Sequence, residues 1–164
     1  MTSRPVPEHF EEELLNKHFE YTYDNGLGST YQFWVKNHER IVYGKITGGP
    51  MNGRNNFQTA YYQRIRPQLW QIGWVEETGT QVTMALDIEQ KRITTFMAFS
   101  KGHWELPEKA HGSKPAQLEQ WRELAKIESD KPSSRHVLPE QANIDKIYDG
   151  RGELEDIDMS WPTL

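Results

Sequence analysis

The sequence predicts a mainly β protein, an antiparallel sheet closed into an up-and-down β-barrel with short flanking helices. Three observations carry that expectation. Strand-like segments follow one another over residues 19–24, 30–36, 40–47, 55–66, 68–76, 80–87 and 91–99. The stretches between them ("NGLGS", "NHE", "GGPMNG", "RP", "ETG", "IEQ") are short turns, so neighbouring strands pair antiparallel. The chain has low mean hydropathy, yet holds 6 Trp, 7 Tyr and 6 Phe, which suits a sheet packing large rings on one face and showing water the other. Consecutive strands must bury that face and dispose of their edges, and closure into a barrel does both. The expected organisation is a helical lead-in over 1–18, one barrel domain over 19–148 that includes a helix near 114–128, and an acidic tail over 149–164.

The lead-in rests on "PEHFEEELLNKHF", with Pro7 near its start and acidic residues in the first turns, where the helix dipole favours them. In the first strand, Phe19, Tyr21 and Tyr23 share a face that ends at the Asn25-Gly26 turn. Taken alone, a Tyr-x-Tyr pair is core filling. Tyr31 and Phe33 share a face of the next strand and Tyr43 lies centrally in "RIVYGKI", so the early strands carry more hydroxyl than a plain core wants. A polar ligand would partner it. Arg54 follows a glycine-rich loop that lacks the G-x-x-x-x-G-K-[ST] pattern and a following helix, which argues against a phosphate cradle. Strict alternation sets Arg54 opposite Phe57 and Tyr61, so periodicity does not place it inside the barrel.

The strand "QLWQIGWVEETGT" sets Trp70, Ile72, Trp74 and Glu76 on one face. The next two strands offer Thr80, Val82, Met84 and Leu86, then Ile93, Thr95, Met97 and Phe99. Singly, each of these reads as core; together they make an apolar cavity wall. Beyond Phe99 the period changes. Ser113 is the expected N-cap, with Pro115 in the first turn, and Leu118, Trp121, Leu124 and Ala125 form a helical face that packs on the barrel or plugs one end. Residues 137–148 supply a last strand, and the acidic tail is loose unless Trp161 docks.

Composition excludes several classes of function. A net charge of −5 with no basic stripe argues against nucleic-acid or anionic-membrane partners. No run approaches the ~18 apolar residues of a membrane span, and the start lacks a secretory apolar stretch, which points to the cytoplasm. With no cysteine, thiolate chemistry and Cys-metal sites are excluded. His9, His18, His38, His103, His111 and His136 show no ligand spacing, so no metal is implied. Glu76 is the chemical candidate. A carboxyl among tryptophans is desolvated, which is expected to raise its pKa and let it hold a proton as a general acid. The competing expectation places Glu76 in the solvated "ETG" turn. Glu77 points the other way and is expected to be exposed.

These residues resemble a known family, the phenolic acid decarboxylases. The resemblance is carried by "YTYDNG" followed by "VKN", by the Gly53-Arg54 pair, by "WVEETGTQV", which is similar to the family's W-T-E-P-T-G-T-D-V, and by the late "VLPE". The chain departs from the pattern at Asn55, where a tryptophan is usual, and at Ser100, which replaces a proline. The resemblance implies a lipocalin-like barrel with its site in the cavity, a homodimer, and cofactor-free, non-oxidative decarboxylation of 4-hydroxycinnamic acids (p-coumaric, ferulic, caffeic) to 4-vinylphenols through a quinone methide. Carried over, it matches Tyr21 and Tyr23 to the family's tyrosine pair, Arg54 to its arginine, Glu76 to its glutamate, and Tyr31 and Tyr43 to pocket tyrosines. The chemistry of that reaction then makes Glu76 the acid, Arg54 its aligning partner and Tyr21 with Tyr23 the carboxylate holders, or, with the substrate reversed, the holders of its phenol. Trp74, Thr80, Val82, Met97 and Phe99 are the expected substrate wall. Two alternatives stand: a noncatalytic small-molecule binding barrel, and a barrel using the same acid for another reaction, such as hydration. A carrier has no use for Glu76 and Arg54 both facing the cavity.

Overall fold

The alternation of large apolar and polar side chains produces a single antiparallel sheet in the computed structural model, which describes residues 3–47, 53–128, 130–131 and 134–164. Apart from Gly53, the glycine-rich loop considered above as an anion cradle lies outside the described residues. The strands are β1 (Lys17–Tyr23), β2 (Thr30–Asn37), β3 (Arg40–Thr47), β4 (Asn55–Thr59), β5 (Tyr61–Arg66), β6 (Leu69–Val75), β7 (Gln81–Asp87), β8 (Arg92–Phe99) and β9 (His136–Asp149). Their order in the sheet is β4-β3-β2-β1-β9-β8-β7-β6-β5. The two edge strands are consecutive in the chain, so the sheet curls until its edges meet. The result is a nearly closed, lipocalin-like barrel, as the sequence predicts.

The segment expected as one strand over 55–66 is two. At Ala60, fully buried, the chain leaves its β3 partner for β6. The Ala60 N–H bonds to Glu39 O at 3.0 Å, and Arg4 Nη2 donates to Ala60 O at 2.8 Å. The corner is thus held by groups far away in sequence. The late strand over 137–148 is present as β9, which pairs with both β1 and β8 and completes the closure.

Inward-facing residues form the main core. Phe19 sits opposite Phe33 across β1 and β2, with their rings stacked at 4.8 Å, and Tyr21 sits opposite Tyr31. Trp74, Val82, Met97 and Leu138 are successive cross-strand neighbours from β6 to β9, which makes one apolar layer around the barrel. The N-terminal end is plugged by α1 (Phe10–Glu13), a single turn rather than a helix reaching residue 18. Asn16, at φ 61°, turns the chain directly into β1. Phe10 packs edge-on against Tyr62 and Trp70, and Glu13 accepts from Arg64 at 2.6 Å and Trp70 Nε1 at 2.7 Å.

Beyond β8 lie α2 (Lys101–Glu105), a 3₁₀ turn over Pro107–Ala110 and α3 (Lys114–Ala125). Ser113 holds the N-cap position of α3, but its side chain makes no cap bond; Gln117 instead accepts the Ser113 N–H at 3.1 Å. Trp121 and Leu124 are buried against Ala110 and Leu106, Leu118 is half-buried and Ala125 is exposed, so the packed face is narrower than its sequence period. The acidic tail is not loose. Leu154 and Ile157 are buried on the outside of the barrel against Trp34, Val42 and Phe57, with Trp161 packed beside them. Apolar burial outweighs the tail's charge there, and Lys36 pairs with Asp156 at 2.6 Å.

Candidate active site

One end of the barrel encloses a cavity of about 430 Å³. The eleven residues assigned to the site from the sequence all line it: Tyr21, Tyr23, Tyr31, Tyr43, Arg54, Trp74, Glu76, Thr80, Val82, Met97 and Phe99. Of the rest of the wall expected from β7 and β8, Met84 lines it too, whereas Leu86, Ile93 and Thr95 are buried outside its lining. The alternation along β6 continues one residue beyond the strand and carries Glu76 inward, where it is 3% exposed. The "ETG" turn is therefore not solvated. The Gly79 N–H bonds to Glu76 O at 2.8 Å with Gly79 at φ +86°, a conformation that favours glycine, and a Cβ there would lie 3.1 Å from Ser100 Cβ. Ser100 Oγ also donates to Thr78 O, so the start of α2 covers the turn.

Arg54 faces the cavity, contrary to the alternation argument. It precedes β4, so strand periodicity does not govern it. Its Nη2 lies 2.9 Å from Glu76 Oε2, its Nε donates to Ala110 O at 3.0 Å, and its guanidinium stacks 5.0 Å from the centre of the Trp121 ring. Gly44 of β3 makes the approach possible: a Cβ on it would fall 2.7 Å from Arg54 O. Glu76 further accepts from Tyr43 at 2.5 Å and from Thr78 at 3.2 Å.

The electrostatics correct the expected protonation state of Glu76. Burial alone pushes the carboxyl up, but the Arg54 charge, helped by His103 and by hydrogen bonds from Arg54 and Tyr43, outweighs it and holds the pKa down at about 2. Glu76 is thus a carboxylate in the substrate-free protein. Glu77 is also corrected: it is buried, paired with Lys114 at 2.5 Å.

The cavity has two polar poles. Arg54, Glu76, Tyr43 and His103 form one. His103 is buried on α2, its Nδ1 2.7 Å from Thr80 Oγ1 and 3.8 Å from Glu76 Oε2; burial pushes it down to about 4, so it is neutral at pH 7. Tyr21, Tyr23 and Tyr31 form the other, with ring centroids 5.3 to 6.0 Å apart. Burial pushes the pKa of all three upward, so they are neutral donors. Glu140 of β9 lines this end and acts electrostatically on Tyr23 and Tyr31, although Tyr31 also feels the Arg54 charge, in the opposite sense and more strongly. Asn25, Leu27 and Trp104 rim the opening. His103 and Glu140 were given no role by the sequence reading. The only signal for Glu140 was the "VLPE" motif, and a lone histidine without ligand spacing offered none.

A protein of Vibrio cholerae named as a probable phenolic acid decarboxylase is 32% identical over 97 residues, 58% of this chain and 54% of its own. The phenolic acid decarboxylase PadC of Bacillus subtilis is 31% identical over 98 residues, 59% of each chain. The matched stretch thus spans little more than half the length of these relatives. A crystal structure of a Burkholderia vietnamiensis protein named as a candidate beta-lactamase superposes with a TM-score of 0.53 over 89% of this chain and 99% of its own; at 15% identity it shares the fold. The family model described as phenolic acid decarboxylase matches residues 11–161, nearly the whole chain, and the protein belongs to the phenolic acid decarboxylase family.

Proposed function

We propose that this protein is a carboxy-lyase that converts 4-hydroxycinnamic acids, such as p-coumaric, ferulic and caffeic acid, to 4-vinylphenols and carbon dioxide without a cofactor. One observation carries the reading: a slot walled by aromatic and apolar side chains has an arginine-held carboxylate at one pole and neutral phenols at the other. A flat substrate that is polar at both ends matches it. Both Glu76 and Arg54 face the cavity, which favours an enzyme over a carrier.

Loss of carbon dioxide directly from a vinylic carboxylate leaves a localised vinyl anion, so the ring must first become an electron sink. Charge favours the substrate carboxylate at the Arg54 pole, the reverse of the orientation inferred from the sequence, since Arg54 is the cation there and Glu140 stands at the tyrosine pole. A second carboxylate sharing Arg54 raises the proton affinity of Glu76, so Glu76 takes up a proton as substrate binds. It then lies beside the alkene carbon that bears the carboxylate. Glu76 delivers its proton to that carbon while the 4-hydroxyl loses its own, with Tyr21 and Tyr23 donating to the phenolic oxygen and Glu140 as the acceptor. The product of this step is a quinone methide. The bond to the carboxylate then breaks, its electrons return to the ring, carbon dioxide leaves, and the phenolate regains a proton. One proton is consumed per turnover, since a carboxylate becomes a C–H bond.

Ultraviolet spectra of p-coumaric acid with the protein alone test the reading. The conjugated acid should disappear and 4-vinylphenol accumulate, while 4-methoxycinnamic acid, which cannot form the quinone methide, should persist. Equal turnover of both acids would sink the mechanism, and turnover of neither would sink the activity.

A further inference from the structure

Behind the Glu76 pole lies a set of buried polar residues that the reaction does not use. Lys114, Gln58 and Asn56 are fully buried, Glu77 is 4% exposed, and none of them lines the cavity. An ammonium can only donate and a carboxylate can only accept. Lys114 Nζ lies 2.5 Å from Glu77 Oε1, 2.7 Å from Phe57 O and 3.3 Å from Gln58 Oε1; Gln58 Nε2 donates to Glu77 Oε2 at 2.7 Å. The two charges leave the Gln58 amide one orientation, oxygen to the lysine and nitrogen to the glutamate. Its nitrogen also donates to Asn56 Oδ1 at 3.3 Å, which accepts the Phe57 N–H at 2.8 Å as well. Asn56 is thereby fixed in turn, its amide nitrogen donating to the Tyr43 hydroxyl at 2.7 Å. An oxygen that accepts from Asn56 turns its own proton elsewhere, and Glu76 Oε1 is 2.5 Å away.

The geometry points to Asn56, Gln58, Glu77 and Lys114 as positioning residues: a buried charge pair outside the cavity sets the sense of a hydrogen-bond chain that keeps Tyr43 a donor to Glu76. This rests on the proposed role of Glu76 as the acid. Among the described residues, the other groups facing Glu76 are Arg54 ahead of β4, His103 on α2 and Thr78 in its own turn, and their side-chain polar contacts run to Glu76, Ala110 O and Thr80 rather than to these four residues. Lys114 also acts on Glu76 directly through its charge, and Tyr43 is the outlet of the hydrogen-bond chain, which substitutions at the neutral Asn56 isolate because they leave the charge pair in place. Because α3 supplies Lys114 from its first turn, the helix acts on the acid without touching it.

Asn56→Asp and Asn56→Leu, each alone and with Tyr43→Phe, test the chain. Two readouts apply: the Glu76 carboxyl titration by carbon-13 NMR in substrate-free protein, and the pH dependence of kcat with p-coumarate, which reports the substrate complex in which Glu76 carries its proton. An aspartate accepts and cannot donate, so it draws the Tyr43 proton away from Glu76. The Glu76 midpoint should rise by about one pH unit, the scale of one charge-assisted hydrogen bond, and the alkaline limb of activity should move upward with it. Asn56→Leu should shift it the same way by less, and should add nothing in the Tyr43→Phe background, because Asn56 acts only through that hydroxyl. Unchanged titrations in both Asn56 variants, or an Asn56→Leu shift that persists without the Tyr43 hydroxyl, would overturn the inference. The titration needs no substrate, so it decides the chain even if wild-type protein leaves p-coumarate intact and the decarboxylase reading falls.

Discussion

Arg54 Nη2 and Glu76 Oε2 stand 2.9 Å apart, both side chains nearly closed off from solvent, although Arg54 precedes the edge strand β4 and Glu76 follows β6 on the other side of the barrel seam. On the proposed reading, the pair is what separates this cavity from a passive pocket. It keeps a carboxylate ionised where burial alone would neutralise it, and it leaves that carboxylate responsive to a second anion. Breaking such a pair from one side strands a buried charge at a cost of about 3–5 kcal/mol, so Arg54→Met is expected to damage folding as well as activity, and Arg54 is better probed together with Glu76.

Replacing Glu76 alone by glutamine removes the transferable proton and keeps the shape, but it leaves the buried Arg54 charge unpaired, so a loss of stability is expected beside the loss of rate. Turnover of p-coumarate should fall by about 10² to 10⁴-fold, the usual contribution of general acid catalysis, while substrate binding measured by calorimetry survives. A variant with wild-type turnover would remove Glu76 from the reaction.

The orientation of the substrate can be separated from its chemistry with two half-ligands. 4-Vinylphenol has the hydroxyl without the carboxylate, and cinnamic acid the reverse. With the carboxylate at the Arg54 pole, Tyr21→Phe and Tyr23→Phe should weaken 4-vinylphenol by about 3- to 10-fold, one hydrogen bond's worth, and leave cinnamate nearly unchanged. The opposite ranking would return the carboxylate to the tyrosine pair.

The docked tail makes a stability prediction. Leu154 is 4% exposed among Trp34, Val42 and Phe57 on the outer wall, so Leu154→Ala should cost about 2 kcal/mol, at the low end for a buried leucine because the site is peripheral. Urea unfolding measures it. A cost near zero would mean that the tail does not hold this position in solution.

Sequence periodicity made the inner wall legible because it is local. Trp70, Ile72, Trp74 and Glu76 alternate inward, and the same rule placed Tyr21 and Tyr23. It failed wherever a distant partner decides the outcome. Arg54 lies just outside its strand, so its direction is set by Glu76 and Ala110 O. Glu77 is buried because Lys114 meets it there, a fact no window around residue 77 contains. The corner at Ala60 carries neither glycine nor proline and is held by Glu39 and Arg4, so it read as continuous strand. His103 depended on a five-residue helix too short to show a period.

His103 supplies the clearest pH prediction for stability. Burial depresses its pKa from an ordinary value of 6.5 to about 4. Between those values the unfolded imidazole binds a proton that the folded one refuses, so the unfolded state carries more protons and stability falls as pH falls from about 6.5 to about 4. Below that the folded imidazole is protonated too, and its contribution to the slope ends. Glu76 acts in a lower window: its depressed carboxyl stabilises the fold above the ordinary 4.5, and that contribution is lost as pH falls toward about 2. His18, also held down by burial, shares the upper window, so His103→Gln should reduce the slope of melting temperature between pH 4 and 6.5 without abolishing it, and should leave the loss below pH 4 in place. Thermal melts of wild type and variant across pH 3 to 8 separate the two windows. An unchanged slope in the variant would mean that His103 is protonated as readily in the folded protein as in the unfolded chain.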